Sequence, residues 1–288
     1  MKFGTLYAYW VRDWGADYCE LAKKVKAAGF DVIEVGAGDL VKMSDEELKR
    51  LSDAAKSLGL EISANLGPPR DKDISSADPA IREAGVKFLC DIMHQMVKID
   101  CRILIGALYN CWPYDFADLD KESLRKRAVE GMQRVGDEAD RLGITIALEV
   151  LNRFETILLT DAAEGVKFCE DVGRESVKVL LDTFHMNIEE DNIPDAIRNT
   201  GSWLAHLHVG EGNRKLPGMG HLDWFAIGKA LRDISFDGMV VMEPFMKSGG
   251  SVGKDIKVWR DLSNGASDEE MDSIIANSLV FLRGAFSK

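Results

Sequence analysis

Four strand-like runs each carry one polar side chain where an apolar one is expected. They are Glu149 in Thr145–Asn152, Asp182 in Val177–Asp182, His208 in Leu204–Val209 and Glu243 in Gly238–Phe245. A buried carboxylate or imidazole is costly unless something compensates it. Side chains alternate along a strand, so Ala147, Glu149 and Leu151 share one face, as do Leu180 with Asp182, His206 with His208, and Val241 with Glu243 and Phe245. Three carboxylates brought together repel one another, and a divalent cation removes that penalty. An oxygen-rich set with a single imidazole suits Mn²⁺, Mg²⁺ or Co²⁺ better than a thiolate-seeking metal. Any one of these residues alone reads equally well as a helix cap or an ion-pair partner; all four together favour a metal site.

Three further residues follow these runs closely. Glu155 lies just past Glu149, His185 just past Asp182, and Arg214 after His208. A carboxylate, an imidazole and a guanidinium around an open metal position can bind the hydroxyls of a polyhydroxylated substrate and steady developing oxyanion charge. Solvated loop charges are the equal alternative on composition. Tyr7, Trp10, Trp14, Trp112 and Phe245 frame the same region, and their rings can stack on the apolar face of a sugar, with Trp14 expected in the core. His206 is expected as a packed, hydrogen-bonded histidine. The run Ser248–Gly253 is expected to be a turned loop rather than a phosphate cradle, because no helix is predicted to start at its end.

The elements that must hold these residues alternate regularly. Strands are predicted at Phe3–Ala8, Asp31–Val35, Glu61–Leu66, Arg102–Leu108 and the four runs above. Helices lie between them, among them Ser44–Ser57, Pro79–Ile99, Lys121–Leu142 and Asp268–Ala285. Ser44-Asp45-Glu46-Glu47 carries a capping-box pattern. Eight apolar strands, each followed by a helix, predict parallel strands buried on both faces and closed into a single (β/α)8 TIM barrel spanning residues 1–288. In such a barrel the four polar residues lie at the C-terminal mouth, on consecutive strands. No GxGxxG follows the first strand, which weighs against a dinucleotide site.

Bulk properties exclude other classes. The 288 residues carry a net charge of −12, which disfavours nucleic-acid and anionic-membrane partners. No apolar run approaches the ~18 residues of a membrane span. Five scattered cysteines without a CxxC, and no signal-peptide pattern at the start, point to free thiols and a cytoplasmic protein.

At Glu149-Val150-Leu151-Asn152-Arg153-Phe154-Glu155, Leu181-Asp182-Thr183-Phe184-His185-Met186-Asn187, His206-Leu207-His208-Val209-Gly210-Glu211, Met242-Glu243-Pro244-Phe245 and Asp255–Asp261 the chain resembles the ketose 3-epimerases. The likeness runs from Tyr9-Trp10 to the last helix. It implies a Mn²⁺- or Co²⁺-dependent barrel enzyme, with Mg²⁺ a further option, acting on free ketohexoses as a homodimer or homotetramer. It implies Glu149, Asp182, His208 and Glu243 as metal ligands. Glu149 and Glu243 double as the acid/base pair that works through a cis-enediolate, and Glu155, His185 and Arg214 hold the sugar near O1 to O3. Leu6, Asn110-Cys111 and Pro69 depart from the pattern. They are expected around the far end of the substrate, with Leu6 and Trp112 in contact with it. The alternative within the same barrel type is an aldose–ketose isomerase. A DNA-repair endonuclease would need more histidine and a basic face; a non-catalytic sugar-binding or metal-binding protein would show no turnover.

Overall fold

The computed structural model describes residues 1–287. Eight strands form it: β1 Lys2–Leu6, β2 Val32–Gly36, β3 Glu61–Asn65, β4 Ile103–Gly106, β5 Thr145–Glu149, β6 Val177–Asp182, β7 Leu204–Val209 and β8 Met239–Met242. Each pairs in parallel with the next, and β8 pairs with β1, so the sheet closes on itself. The helices are α1 Tyr18–Ala27, α2 Ala37–Leu40, α3 Asp45–Leu58, α4 Pro79–Lys98, α5 Lys121–Leu142, α6 Ala162–Val172, α7 Thr183–Glu189, α8 Ile193–Thr200, α9 Trp224–Asp233, α10 Gly250–Asp255 and α11 Asp268–Ser287. The predicted (β/α)8 barrel is the fold observed.

Local chemistry sets the boundaries. Ser44 and Glu47 form the expected capping box at α3: the Ser44 hydroxyl accepts from the Glu47 amide, and the Glu47 carboxylate accepts from the Ser44 amide at 2.8 Å. Asp17, Asp78, Asp120, Asp161, Asn192 and Asp223 cap other helices more simply, each side chain accepting from an amide of the first turn. Gly143 ends α5 with φ of 65°, a left-handed conformation that costs glycine no steric strain.

Two cores result. The larger lies between strands and surrounding helices, where buried helix residues such as Leu48, Leu89, Val135 and Phe168 meet the outer face of the sheet. A small one, built from Ile103, Ile105, Ala147 and Leu180, fills part of the barrel interior. Among the described residues no helix is long and apolar enough to cross a membrane.

The short elements α2, α7 and α10 were absent from the sequence reading. Helices of four to seven residues carry too few turns for an apolar period to show. The Ser248–Gly253 expectation is corrected: α10 begins inside that run, at Gly250, after Gly249 with φ of 82°. The run is tied to the loop after β1, with the Ser251 amide donating to Asp13 at 2.8 Å and the Val252 amide to the Arg12 carbonyl at 3.0 Å.

One glycine bears directly on the barrel mouth. Gly106, at the end of β4, has φ of 121°, and a Cβ there would lie 2.2 Å from the Leu66 carbonyl oxygen and 2.9 Å from Asn65 Oδ1. Gly106→Ala is expected to cost about 3 kcal/mol or more, since forbidden backbone and a backbone clash coincide. Urea unfolding should show a lower midpoint at unchanged slope; an unchanged midpoint would contradict this packing.

Candidate active site

The four polar residues converge as the strand pattern requires. Glu149 ends β5, Asp182 ends β6, His208 lies in β7 and Glu243 follows β8 directly. Register pairs Asp182 directly with His208, whereas Glu149 pairs with Leu180 and His208 with Val241, so Asp182 and Glu243 each stand two residues beyond their neighbour's partner. One ligand atom from each of the four lies within 4.8 Å of every other. His208 Nδ1 is 3.1 Å from Glu149 Oε1 and 3.6 Å from Glu243 Oε1. All four side chains are buried. Asp182 also caps α7, accepting from the Phe184 amide at 2.8 Å.

The electrostatics show what this convergence costs. Burial, with Glu149 and Asp182 close by, pushes the Glu243 carboxyl well above the usual carboxylate range; His208 and Arg214 offset only part of this. Burial alone would lower His208, but Glu243, Glu34 and Glu149 outweigh it and hold the imidazole well above its ordinary value. Three buried carboxylates and one imidazole form a donor set that fits a hard divalent cation, which would relieve the repulsion recorded at Glu243.

Glu34 was missed. It stands in Val32-Ile33-Glu34-Val35, fully buried, with Oε1 2.9 Å from His208 Nε2 and Oε2 accepting from Ser63 Oγ at 2.9 Å. Its signal in the sequence, one carboxylate inside an apolar strand, is the same one that marks Glu149. Burial would raise its carboxyl, but the charge and bond of His208, with His206 close by, hold it far below the usual range. His206 is fully buried as expected, edge-on to His208, with Nε2 3.3 Å from Glu34 Oε2. Neither ring nitrogen has a hydrogen-bond partner, so His206 is packed as expected but not hydrogen-bonded: Nε2 only stands near Glu34. Burial lowers its pKa, against the pull of Glu34.

Around this cluster opens a cavity of about 330 Å³, within the range of small-molecule sites. Glu155, His185, Arg214, Trp112 and Leu6 all line it, as do Tyr7 and Phe245. Glu155 is positioned by Trp112 Nε1 and Asn152 Nδ2, each donating at 3.0 Å. Burial would raise its carboxyl, but His185 and Arg214 hold it below the ordinary value. The Asn152 amide donates to His185 Nδ1 at 3.1 Å, which leaves the ring proton on Nε2. Arg214 is placed by a left-handed backbone, φ 63°, rare for a side-chain-bearing residue. Its guanidinium lies 3.6 Å over the Phe184 ring and reaches Asp182 and Glu243 at 3.4 Å each. Its Nε is buried without a hydrogen-bond partner. These three residues therefore line the cavity instead of standing as solvated loop charges.

Other expectations change. Trp14 is 38% exposed and lines the cavity instead of packing in the core, with its indole donating to Asp255 at 2.8 Å. Trp10 is buried away from the cavity and donates to Asp272 in α11 at 2.6 Å. Of the departures from the family pattern, Leu6 lines the cavity, whereas Pro69, Asn110 and Cys111 do not. Asn110 turns into the core and donates to Thr156 Oγ1 at 3.2 Å. Asn65, Asp39 and Lys42 also line the cavity and were not anticipated, because polar residues at strand ends and in loops are common without a role. His94 lies on the surface, 2.8 Å from Glu138.

Fold and site together define a class: (β/α)8 barrels whose C-terminal mouth carries an acidic, one-histidine cluster able to hold a divalent cation. The model of the xylose isomerase-like TIM barrel family matches residues 22–263. A D-psicose 3-epimerase of Agrobacterium fabrum is 48% identical over 284 residues, covering 98% of this chain and 98% of its own. One from Ruminiclostridium cellulolyticum is 46% identical, covering 98% and 97%. A crystal structure of D-psicose 3-epimerase in the presence of D-fructose matches with a TM-score of 0.98 at 47% identity, over 100% of both chains. The chain belongs to the xylose isomerase-like TIM barrel family, among its ketose 3-epimerases.

Proposed function

We propose that this protein interconverts free ketohexoses that differ at C3, D-fructose with D-psicose and D-tagatose with D-sorbose. The observation that carries the reading is the pairing of Glu149 and Glu243 on one histidine nitrogen inside a sugar-sized cavity. The relatives named for D-psicose support the substrate class.

Glu149, Asp182, His208 and Glu243 would hold the cation, Mn²⁺ or Co²⁺ before Mg²⁺. When bound, such an ion supplies Lewis-acid chemistry, drawing electron density from the ketose oxygens and acidifying the C3 hydrogen. Inverting C3 requires a proton to leave one face of the carbon and another to arrive on the opposite face. Glu149 and Glu243 come from strands at the two ends of the ligand arc and fit that demand, each serving as base in one direction and acid in the other through a cis-enediolate. The Arg214 guanidinium offers its unpartnered Nε, and His185 its Nε2 proton, to the sugar oxygens near C1 to C3. Glu155, kept ionised by its neighbours, accepts from a substrate hydroxyl. Trp112, Phe245 and Leu6 close the apolar side of the cavity.

Incubation with D-fructose followed by sugar chromatography tests the reading. D-psicose is the expected product; D-glucose or D-mannose instead would favour the isomerase alternative. Glu155→Gln is expected to raise KM for the ketose by about tenfold or more, the scale of one lost charge-assisted hydrogen bond. Mn²⁺ affinity should stay unchanged in that variant. A KM equal to the parent's would remove Glu155 from the substrate contacts.

A further inference from the structure

Glu34 is a carboxylate sealed in the barrel interior, and nothing in the proton-transfer scheme uses it. Among the described residues its side chain meets Ser63 Oγ at 2.9 Å, Asn65 Nδ2 at 3.3 Å, His208 Nε2 at 2.9 Å and His206 Nε2 at 3.3 Å. None of these is a lysine or arginine. A carboxylate so placed costs stability unless its bonds serve a purpose elsewhere.

The geometry at His208 supplies one. The two ring nitrogens face different environments: Nδ1 looks toward Glu149 and Glu243, and Nε2 toward Glu34. An ionised carboxylate can only accept, so the Nε2–Glu34 bond keeps a hydrogen on Nε2 and makes Nδ1 the nitrogen that would turn its lone pair to a cation held in the cluster. Asn65 extends the same control. Its Nδ2 lies 3.3 Å from Glu34 Oε1 and 3.3 Å from Glu243 Oε1, so one amide group links the buried carboxylate to a second member of the cluster. Glu34 stands on β2, away from the four strands that carry the cluster, and reaches them through the interior of the barrel.

We infer that Glu34 is a positioning residue for the cation site: it fixes which nitrogen of His208 faces the ion and, through Asn65, where Glu243 stands. The inference rests on the cation site proposed above. Partners one shell behind metal ligands typically account for roughly 10- to 100-fold in metal affinity.

The experiment is a Mn²⁺ titration, read by electron paramagnetic resonance of the free ion, on the parent protein, Glu34→Gln and Asp182→Asn. The expected result is binding of one ion by the parent, with affinity weaker by roughly 10- to 100-fold in Glu34→Gln, and weakened also in Asp182→Asn. Parent-like affinity in a folded Glu34→Gln, alongside lost affinity in Asp182→Asn, overturns the role of Glu34 and leaves the site reading standing. No binding by the parent, or parent-like affinity in Asp182→Asn, overturns the site reading and the inference with it. If Glu34→Gln does not fold, the parent itself decides. In Mg²⁺-loaded protein labelled with ¹⁵N at its five histidines, His208 is expected to carry its hydrogen on Nε2. A bare Nε2 overturns the inference.

Discussion

Glu149→Gln and Glu243→Gln, each assayed at saturating Mn²⁺, are expected to stop the conversion of D-fructose to D-psicose while leaving the barrel folded. A positioned acid or base contributes about 10²- to 10⁴-fold, and inversion needs one on each face, so loss of at least ~10³-fold in turnover is expected for either variant. Glutamine has nearly the same shape and keeps an oxygen ligand, which separates proton transfer from packing. The two-face scheme makes a sharper demand. With one glutamate left, one epimer can still be deprotonated and reprotonated from the same side. Each variant should therefore exchange the C3 hydrogen of one epimer with solvent without converting it, and the two variants should choose opposite epimers. Both keeping epimerase activity would remove the pair from the chemistry. The starting geometry suits this test, because both carboxylates stand beside His208 Nδ1, at 3.1 and 3.6 Å.

The second large effect is on stability. Stripping divalent ions with a chelator leaves three buried carboxylates facing one another, and burial has already pushed Glu243 well above its ordinary range. Adding Mn²⁺ at about 1,000 times its dissociation constant should stabilise the fold by ~4 kcal/mol, since the ion binds only the folded chain. For a chain of this size that is a rise in Tm on the order of 10 °C. Asp182→Asn should lose most of that rise yet fold, because asparagine replaces aspartate as the cap of α7 at little cost. A Tm indifferent to Mn²⁺ in the parent would contradict a cation at this position.

The sequence made some of this legible and hid the rest for physical reasons. Glu149, Asp182, His208 and Glu243 stood out because an apolar strand makes a lone polar residue conspicuous, and the two-residue alternation fixed their common face. Capping at Ser44 was readable because it depends on four adjacent residues. Glu34 carried the same mark as Glu149 and still went unread, since its partners Ser63, Asn65 and His208 come from two other strands and only the closed barrel brings them together. Trp10 and Trp14 exchanged expected places. Both lie in the segment between β1 and α1, and only the contacts with α10 and α11 decide which ring is exposed to the cavity. Asn110 and Cys111 follow β4 yet turn into the core, which no spacing rule distinguishes from facing the substrate.

The most direct measurement is the position of solvent hydrogen in the sugar. D-fructose incubated with the Mn²⁺-loaded protein in ²H₂O should yield D-psicose carrying deuterium at C3, with C1 unlabelled, as read by proton NMR. Deuterium at C1 or C2 with D-glucose or D-mannose as product, or no label at C3 in any recovered ketose, would contradict proton transfer at C3 by this pair of glutamates.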